Sequence, residues 1–333
     1  MKMKCNLIQI SLLVAVLTAL PIVANAQLTF VTNNGSITIT GYTGNPTIVN
    51  IPGTTNGYPV TSIALQAFQN KTVTSVTIPD SVTNIGGSAF FNCVNLTNVT
   101  LGNGVITIGN SAFNSCTALN NITLPNSLKI LGLGAFNFCT SLNNVTIPNS
   151  ISSIGTTAFY HCSSLVSVSI PDSVTNIGTS AFYTCSKLAR ATIGSNVVSI
   201  SSYALAYCTN LGGIYFKGNA PTADSTVCTN DSKAIVYYLP GTTGWGATFA
   251  GIPTALWLPQ AQTTDNGFGV RTNQFGFNIN WASGQTVVVE ASTNLSKLAW
   301  QPVQTNPFTS DSFYFSDPQW ANYPSRFYRL RSP

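Results

Sequence analysis

The chain has 333 residues, of which only 6% are charged; 13 Lys and Arg stand against 8 Asp and Glu, for a formal net charge of +5. Ordinary globular chains carry roughly 25% charged residues, so solubility here falls to Asn, Ser and Thr. Setting aside Lys2 and Lys4 leaves 13 − 2 = 11 basic residues, scattered singly except for Arg326, Arg329 and Arg331. That pattern excludes a nucleic-acid binder, which clusters cations to neutralise phosphates.

Residues 1–26 open with Lys2 and Lys4, run through an apolar stretch from Leu7 to Val23 and end on Ala24-Asn25-Ala26. This is the pattern of a secretory signal peptide cleaved near Ala26. A single membrane anchor is the weaker reading, because the run is close to the lower length limit for a span and holds Gln9, Ser11 and Pro21. No later stretch is apolar enough to cross a bilayer, so the mature chain is expected outside the cell, secreted or at its surface. Residues 27–50 alternate apolar and polar around Asn-Gly and Gly turns and predict a β hairpin that caps the segment beginning at residue 51.

From residue 51 to 216 the chain repeats. Cysteines fall at Cys93, Cys116, Cys139, Cys162, Cys185 and Cys208, each 23 residues after the last, and Phe90, Phe113, Phe136, Phe159 and Phe182 keep the same step. Seven units start at Ile51, Ile78, Leu101, Leu124, Ile147, Ile170 and Ile193. In each, a stretch such as "LTNVTL" (96–101) has the period of a half-buried strand, and after a Pro or Gly turn comes Ile-Gly and a short "SAFxxC" segment. A strand plus a short helical turn cannot enclose a core alone. Stacked, such units form a parallel ladder about 4.8 Å per rung in which each inward side chain rests on its counterpart. The expected fold class is therefore a solenoid, with a small all-β domain after it.

These units resemble the BspA-like class of bacterial leucine-rich repeats, carried in one copy as Leu142, Val145, Ile147, Pro148, Ile151, Ile154, Gly155, Ala158, Phe159 and Cys162. The resemblance covers residues 51 to about 216 and implies a leucine-rich repeat fold and a role in surface interaction. Departures such as Gly102 and Gly194 for Pro, Ala191 for Val, Ser201 for Gly and Leu205 for Phe gather towards the last unit, where a stack should degrade into a cap.

Seven cysteines remain in an oxidising compartment, so disulfides must be weighed. Stacked repeats hold equivalent Cβ atoms parallel at the rung spacing, wider than a bridge allows, which favours buried thiols acting as small hydrophobes. A Cys208–Cys228 bridge tying down the cap is the alternative. Zinc is disfavoured, since no short Cys or His spacing converges. The one histidine, His161, occupies a variable spacer position.

Residues 217–258 lose the step but keep a strand-like Ile235 to Leu239 and the aromatics Trp245, Phe249 and Trp257, read as sealing the solenoid. Residues 259–265 read as a polar linker. Residues 266–333 predict a small antiparallel β domain, built from "FGFNINW", "TVVVEAS", "FYFS" and "RFYRLR". The final arginines suit a solvated edge strand, with a sorting or attachment signal as the alternative.

Catalytic chemistry finds little footing. Asp80 and Asp172 are turn formers four repeats apart, Glu290 is the one glutamate, and no nucleophile elbow or phosphate loop occurs. No cofactor is implied. The outward strand positions instead form an uncharged amide and hydroxyl surface with one positive end: Asn98, Thr100, Asn121, Thr123, Asn144, Thr146, Ser169, Arg190, Thr192 and Tyr215. One reading is a solubilising surface with good cross-strand pairing. The other is a docking plane for a protein or glycan at the cell exterior. The sequence thus points to a non-enzymatic binding or adhesion scaffold, with a structural matrix component second and a carbohydrate-active protein third.

Overall fold

The computed structural model describes residues 27–44, 47–295 and 299–333. The expected signal peptide, residues 1–26, lies outside them. Among the described residues, no helix is long and apolar enough to cross a membrane.

Each unit lays down two short strands, and both stack in parallel. The first column runs from Ile48–Asn50 through Asn98–Thr100 and Asn144–Thr146 to Gly213–Phe216. Its central residues, Val76, Val99, Ile122 and Val145, point inward and are buried, while Asn and Thr on either side stay exposed, as the period of two requires. Registers match unit for unit: Ser75 opposite Asn98, Asn121 opposite Asn144, and Thr192 opposite Tyr215.

The second column is formed by the Ile-Gly positions, in pairs such as Asn84–Ile85, Thr107–Ile108 and Asn176–Ile177. A two-residue strand shows no periodicity, so the sequence did not reveal it. Its glycine has a steric reason: a Cβ on Gly109 would lie 2.6 Å from the amide nitrogen of Gly87, one rung back.

The SAFxxC segment takes the form of consecutive turns stitched sideways. The N–H groups of Ser88, Phe90 and Asn92 donate to carbonyls of Asn110, Ala112 and Asn114 one rung on. Those of Ala89, Phe91 and Cys93 close local turns on Gly86, Ser88 and Phe90. This alternation holds two residues per unit left-handed, four apart: Ser88, Ser111, Gly134, Thr157, Ser180 and Tyr203 open the segment with φ between 51° and 59°, and Asn92, Ser115, Phe138, His161, Thr184 and Tyr207 follow with φ between 56° and 60°. Asn tolerates that region, whereas a β-branched residue such as Thr184 is there only because its neighbours impose it.

One core runs the length of the stack, from Ile37 to Ile252. The phenylalanine rings pile face to face, with centroids 5.1 Å apart for Phe90–Phe113 and 5.4 Å for Phe113–Phe136, close to the rung spacing. At the N-terminal end, Gln27–Asn33 and Ser36–Thr43 form an antiparallel hairpin, and Tyr42 covers the pile at 5.5 Å from Phe68. At the other end the ladder outlasts the 23-residue step. Ile235–Tyr238 pairs with Gly213–Phe216, and Ile252–Leu256 pairs with Ile235–Tyr238. Trp245 stacks on Tyr238 at 5.1 Å, and Phe249 meets Phe216 edge-on.

The C-terminal residues form two antiparallel sheets. Gln274–Asn280 is the centre of one, pairing with Ser312–Asp317, Gly269–Arg271 and Gln260–Ala261. Part of the stretch read as a linker is thus an edge strand of this sheet. Thr286–Ser292 is the centre of the other, between Gln301–Pro307, which the sequence did not flag, and Phe327–Arg331. Their shared core of Phe277, Ile279, Trp281, Val287, Val289 and Phe315 includes Leu239 and Trp257 from the solenoid. The indole N–H of Trp281 donates to the Trp257 carbonyl at 2.8 Å.

The terminal arginines are paired. Arg329 and Arg331 both hold Glu290, at 2.6 and 3.0 Å, and Arg326 meets Asp317 at 2.6 Å. The Arg329 guanidinium, bonded to Glu290, keeps its carboxyl below the usual range.

Candidate binding face and junction cleft

The first strand column presents the candidate face. Asn98, Thr100, Asn121, Thr123, Asn144, Thr146 and Ser169 are all exposed, in straight columns one rung apart. A shallow depression of about 230 Å³ lies among Asn144, Thr146, Ser167 and Ser169. Asn98 Nδ2 donates to Ser75 Oγ one rung back at 3.4 Å, while Asn121 Nδ2 donates to its neighbour Asn120 Oδ1 at 3.0 Å.

Thr192 departs from this pattern. Expected on the open face, it is only 7% exposed. It sits between Ser169 and Tyr215 in register, at the end of the face where the C-terminal sheets pack.

Arg190 and Tyr215 are brought together more closely than the sequence implied. The Arg190 guanidinium lies 3.8 Å from the Tyr215 ring centroid and 5.7 Å from that of Trp257. Tyr215 in turn stacks on Tyr237 at 4.8 Å, with the rings 11° from parallel. Gly213 makes this possible: a Cβ there would lie 2.6 Å from Tyr215 Cε2, so only glycine lets the ring lie down across the strand. Burial pushes the Tyr215 phenol up.

This stack forms one side of a cleft of about 540 Å³ between the solenoid and the C-terminal module. Gln260, Gln262, Asn280, Ser310, Asp311 and Ser312 line the other side. These were not singled out from the sequence, and no sequence signal joins Asp311 to Arg190, 121 positions earlier, since only docking of the module brings them to one cleft.

The cysteine column is structural. All seven described cysteines are free and buried, Cys208 and Cys228 included. Each ladder thiol donates to the carbonyl of a phenylalanine one rung back: Cys116 to Phe90 at 3.2 Å, Cys139 to Phe113 at 3.1 Å and Cys162 to Phe136 at 3.2 Å. Burial pushes the Cys93 thiol up to about 11. Among the described residues, no group of three or more His, Cys, Asp or Glu converges as metal ligands would.

Asp80 and Asp172 act across rungs. Asp80 Oδ1 accepts the Asn103 N–H and Asp172 Oδ1 the Ser195 N–H, both at 2.7 Å. His161 is half-buried, with its ring 5.0 Å from Phe138.

Parallel two-strand rungs with an inward Leu-Val-Ile set and a flat outer face define a leucine-rich repeat solenoid, a class whose faces serve as interaction surfaces. The model of the BspA type leucine rich repeat region matches in six copies over residues 61–156 and 134–237, more than half of the chain, and the protein belongs to that family. The leucine-rich repeat protein of T. pallidum has a similar structure, with TM-score 0.52 and 31% identity over 55% of this chain and 87% of that one. A leucine-rich repeat protein from Bacteroides ovatus is similar at TM-score 0.46 and 26% identity, over 64% of this chain and 69% of that one. No curated protein matches the chain.

Proposed function

We propose that the protein is a non-enzymatic binding scaffold that acts outside the bacterial cell, secreted or held at its surface, and adheres to a partner through the strand face. The observation that carries this reading is the registered array of Asn98, Asn121 and Asn144 beside Thr100, Thr123 and Thr146, exposed and uncharged over consecutive rungs. A surface of paired donors and acceptors held rigid by the stack suits a protein or glycan partner, because little ordering entropy is lost on contact. The signal-peptide pattern in residues 1–26 supports the location.

The experiment is a screen of the full mature chain against glycan and host-protein arrays, repeated with Thr100, Thr123 and Thr146 all replaced by Lys. Wild-type signal should appear on a defined partner and fall by tenfold or more in the triple variant, since long charged side chains block close approach. An unchanged signal removes the face from consideration.

A further inference from the structure

We propose that the cleft between the strand face and the C-terminal module binds an acidic oligosaccharide, in which a carboxylate-bearing sugar adjoins a neutral one. This goes beyond the strand-face reading, with which it shares Arg190 and Tyr215. The remaining wall belongs to the C-terminal module.

Arg190 supplies the anion site. Its guanidinium is held against Tyr215 at 3.8 Å, and Tyr215 is itself backed by Tyr237 and laid flat by the absence of a side chain at Gly213. A guanidinium stacked by its face keeps its N–H edge free, pre-oriented for the two oxygens of a carboxylate. Among the described residues no carboxylate takes that role: the ion pairs join Arg326 to Asp317, and Arg329 and Arg331 to Glu290.

Asp311 supplies the complementary end. Its Oδ1 accepts the Ser283 N–H at 3.1 Å, which fixes the carboxylate in the cleft without pairing it to Arg190. A fixed carboxylate accepts from sugar hydroxyls and repels a second acid, so the ring it contacts is a neutral one. In the same cleft, Gln260, Gln262 and Asn280 offer amides that both donate and accept, as sugar hydroxyls require. The volume of about 540 Å³ suits a short oligosaccharide.

Other ligand classes fit worse. A nucleic acid needs several cations along its backbone, and Arg190 is the one cation among the lining residues. A peptide anchors by apolar side chains in apolar pockets, whereas here Tyr215, Tyr237 and Trp257 pack on one another and the exposed apolar lining is Leu256 and Leu258, set among amides, hydroxyls and two charges.

Isothermal titration of the full mature chain with hyaluronan tetrasaccharide, where uronate alternates with a neutral amino sugar, tests this against the same tetrasaccharide with its carboxyls reduced to alcohols. The acidic form should bind and the reduced form should bind about ten- to a hundredfold more weakly. Arg190→Gln should lose the same factor at unchanged Tm, and Arg190→Lys should recover only part of it, because the planar fork is gone. The triple Lys variant at Thr100, Thr123 and Thr146 should bind the tetrasaccharide as wild type does. Equal binding of the acidic and reduced forms, wild-type affinity in Arg190→Gln, or no binding at all would each overturn the proposal; the first comparison needs no variant, so misfolding of Arg190→Gln leaves it decisive. Loss confined to the triple variant would locate recognition on the open face and overturn the cleft alone.

Discussion

The Phe113 carbonyl accepts two hydrogen bonds, one from the Cys116 N–H at 3.2 Å in its own unit and one from the Cys139 thiol at 3.1 Å in the next. That geometry explains why the repeat carries cysteine and not alanine: the site needs a small, mostly apolar side chain with one weak donor. Counting 23 on from Cys208 gives Asp231, so the column continues into an eighth rung with a carboxyl where the thiol should be. Asp231 is 2% exposed, both its oxygens lack a hydrogen-bond partner, and burial raises its carboxyl to about 7. Below about pH 4 the group is protonated in folded and unfolded chains alike and its ionisation has no net effect. As pH rises from 4 to 7 the unfolded chain releases a proton that the fold retains, so stability falls, and above 7 the whole penalty stands. Asp231→Cys restores the column and should raise Tm at pH 8 by about 2–4 °C for each kcal/mol recovered. Its advantage should shrink towards pH 4, where only the cost of the unpartnered neutral carboxyl is left, and thermal melts across that range check it; an advantage independent of pH would contradict this account.

Single elements owe their shape to their neighbours more than to their own propensity. The Ile-Gly pairs become strands because each rung is pinned against the one before, and the left-handed Thr184 and His161 persist because rung-to-rung hydrogen bonds secure their units. Gly109→Val places a branched side chain where 2.6 Å separates Cβ from the Gly87 nitrogen, and the rungs must part to admit it. The expected cost is about 1–3 kcal/mol or more, measured by urea unfolding. Valine at Gly57, where nothing lies within 4 Å of a Cβ, should not part the rungs, though its φ of +80° carries strain of its own. A Gly109→Val variant as stable as wild type would show that the close approach is not required.

Across the whole molecule, the C-terminal module is docked and not tethered. Leu239 and Trp257 lie in its core, and the Trp281 indole reaches back to the Trp257 carbonyl. Solenoid and module should therefore melt in one calorimetric transition. Trp281→Ala opens a cavity at the joint and should cost about 3–5 kcal/mol, separating that transition into two. A single transition at unchanged Tm would mean the joint contributes nothing to stability.

Periodicity made the solenoid legible. A 23-residue step in Cys and Phe, with alternation around Val99 and Val145, leaves stacking as the way each unit buries its apolar side, so the core, the open face and the closing aromatics are determined by sequence alone. Four strands of the terminal module were legible from alternation too; Gln301–Pro307 was hidden by its two prolines and polar residues, and Gln260–Ala261 and Gly269–Arg271 are too short to show a period. What only the tertiary structure decided is non-periodic. The cleft shared with Asp311 depends on how the module packs onto the last rungs, and the Arg190–Tyr215–Tyr237 stack and the burial of Thr192 arise on those same rungs, where the 23-residue step breaks. A repeat encodes contacts one period away, whereas a docking contact between segments more than a hundred residues apart leaves no spacing to read.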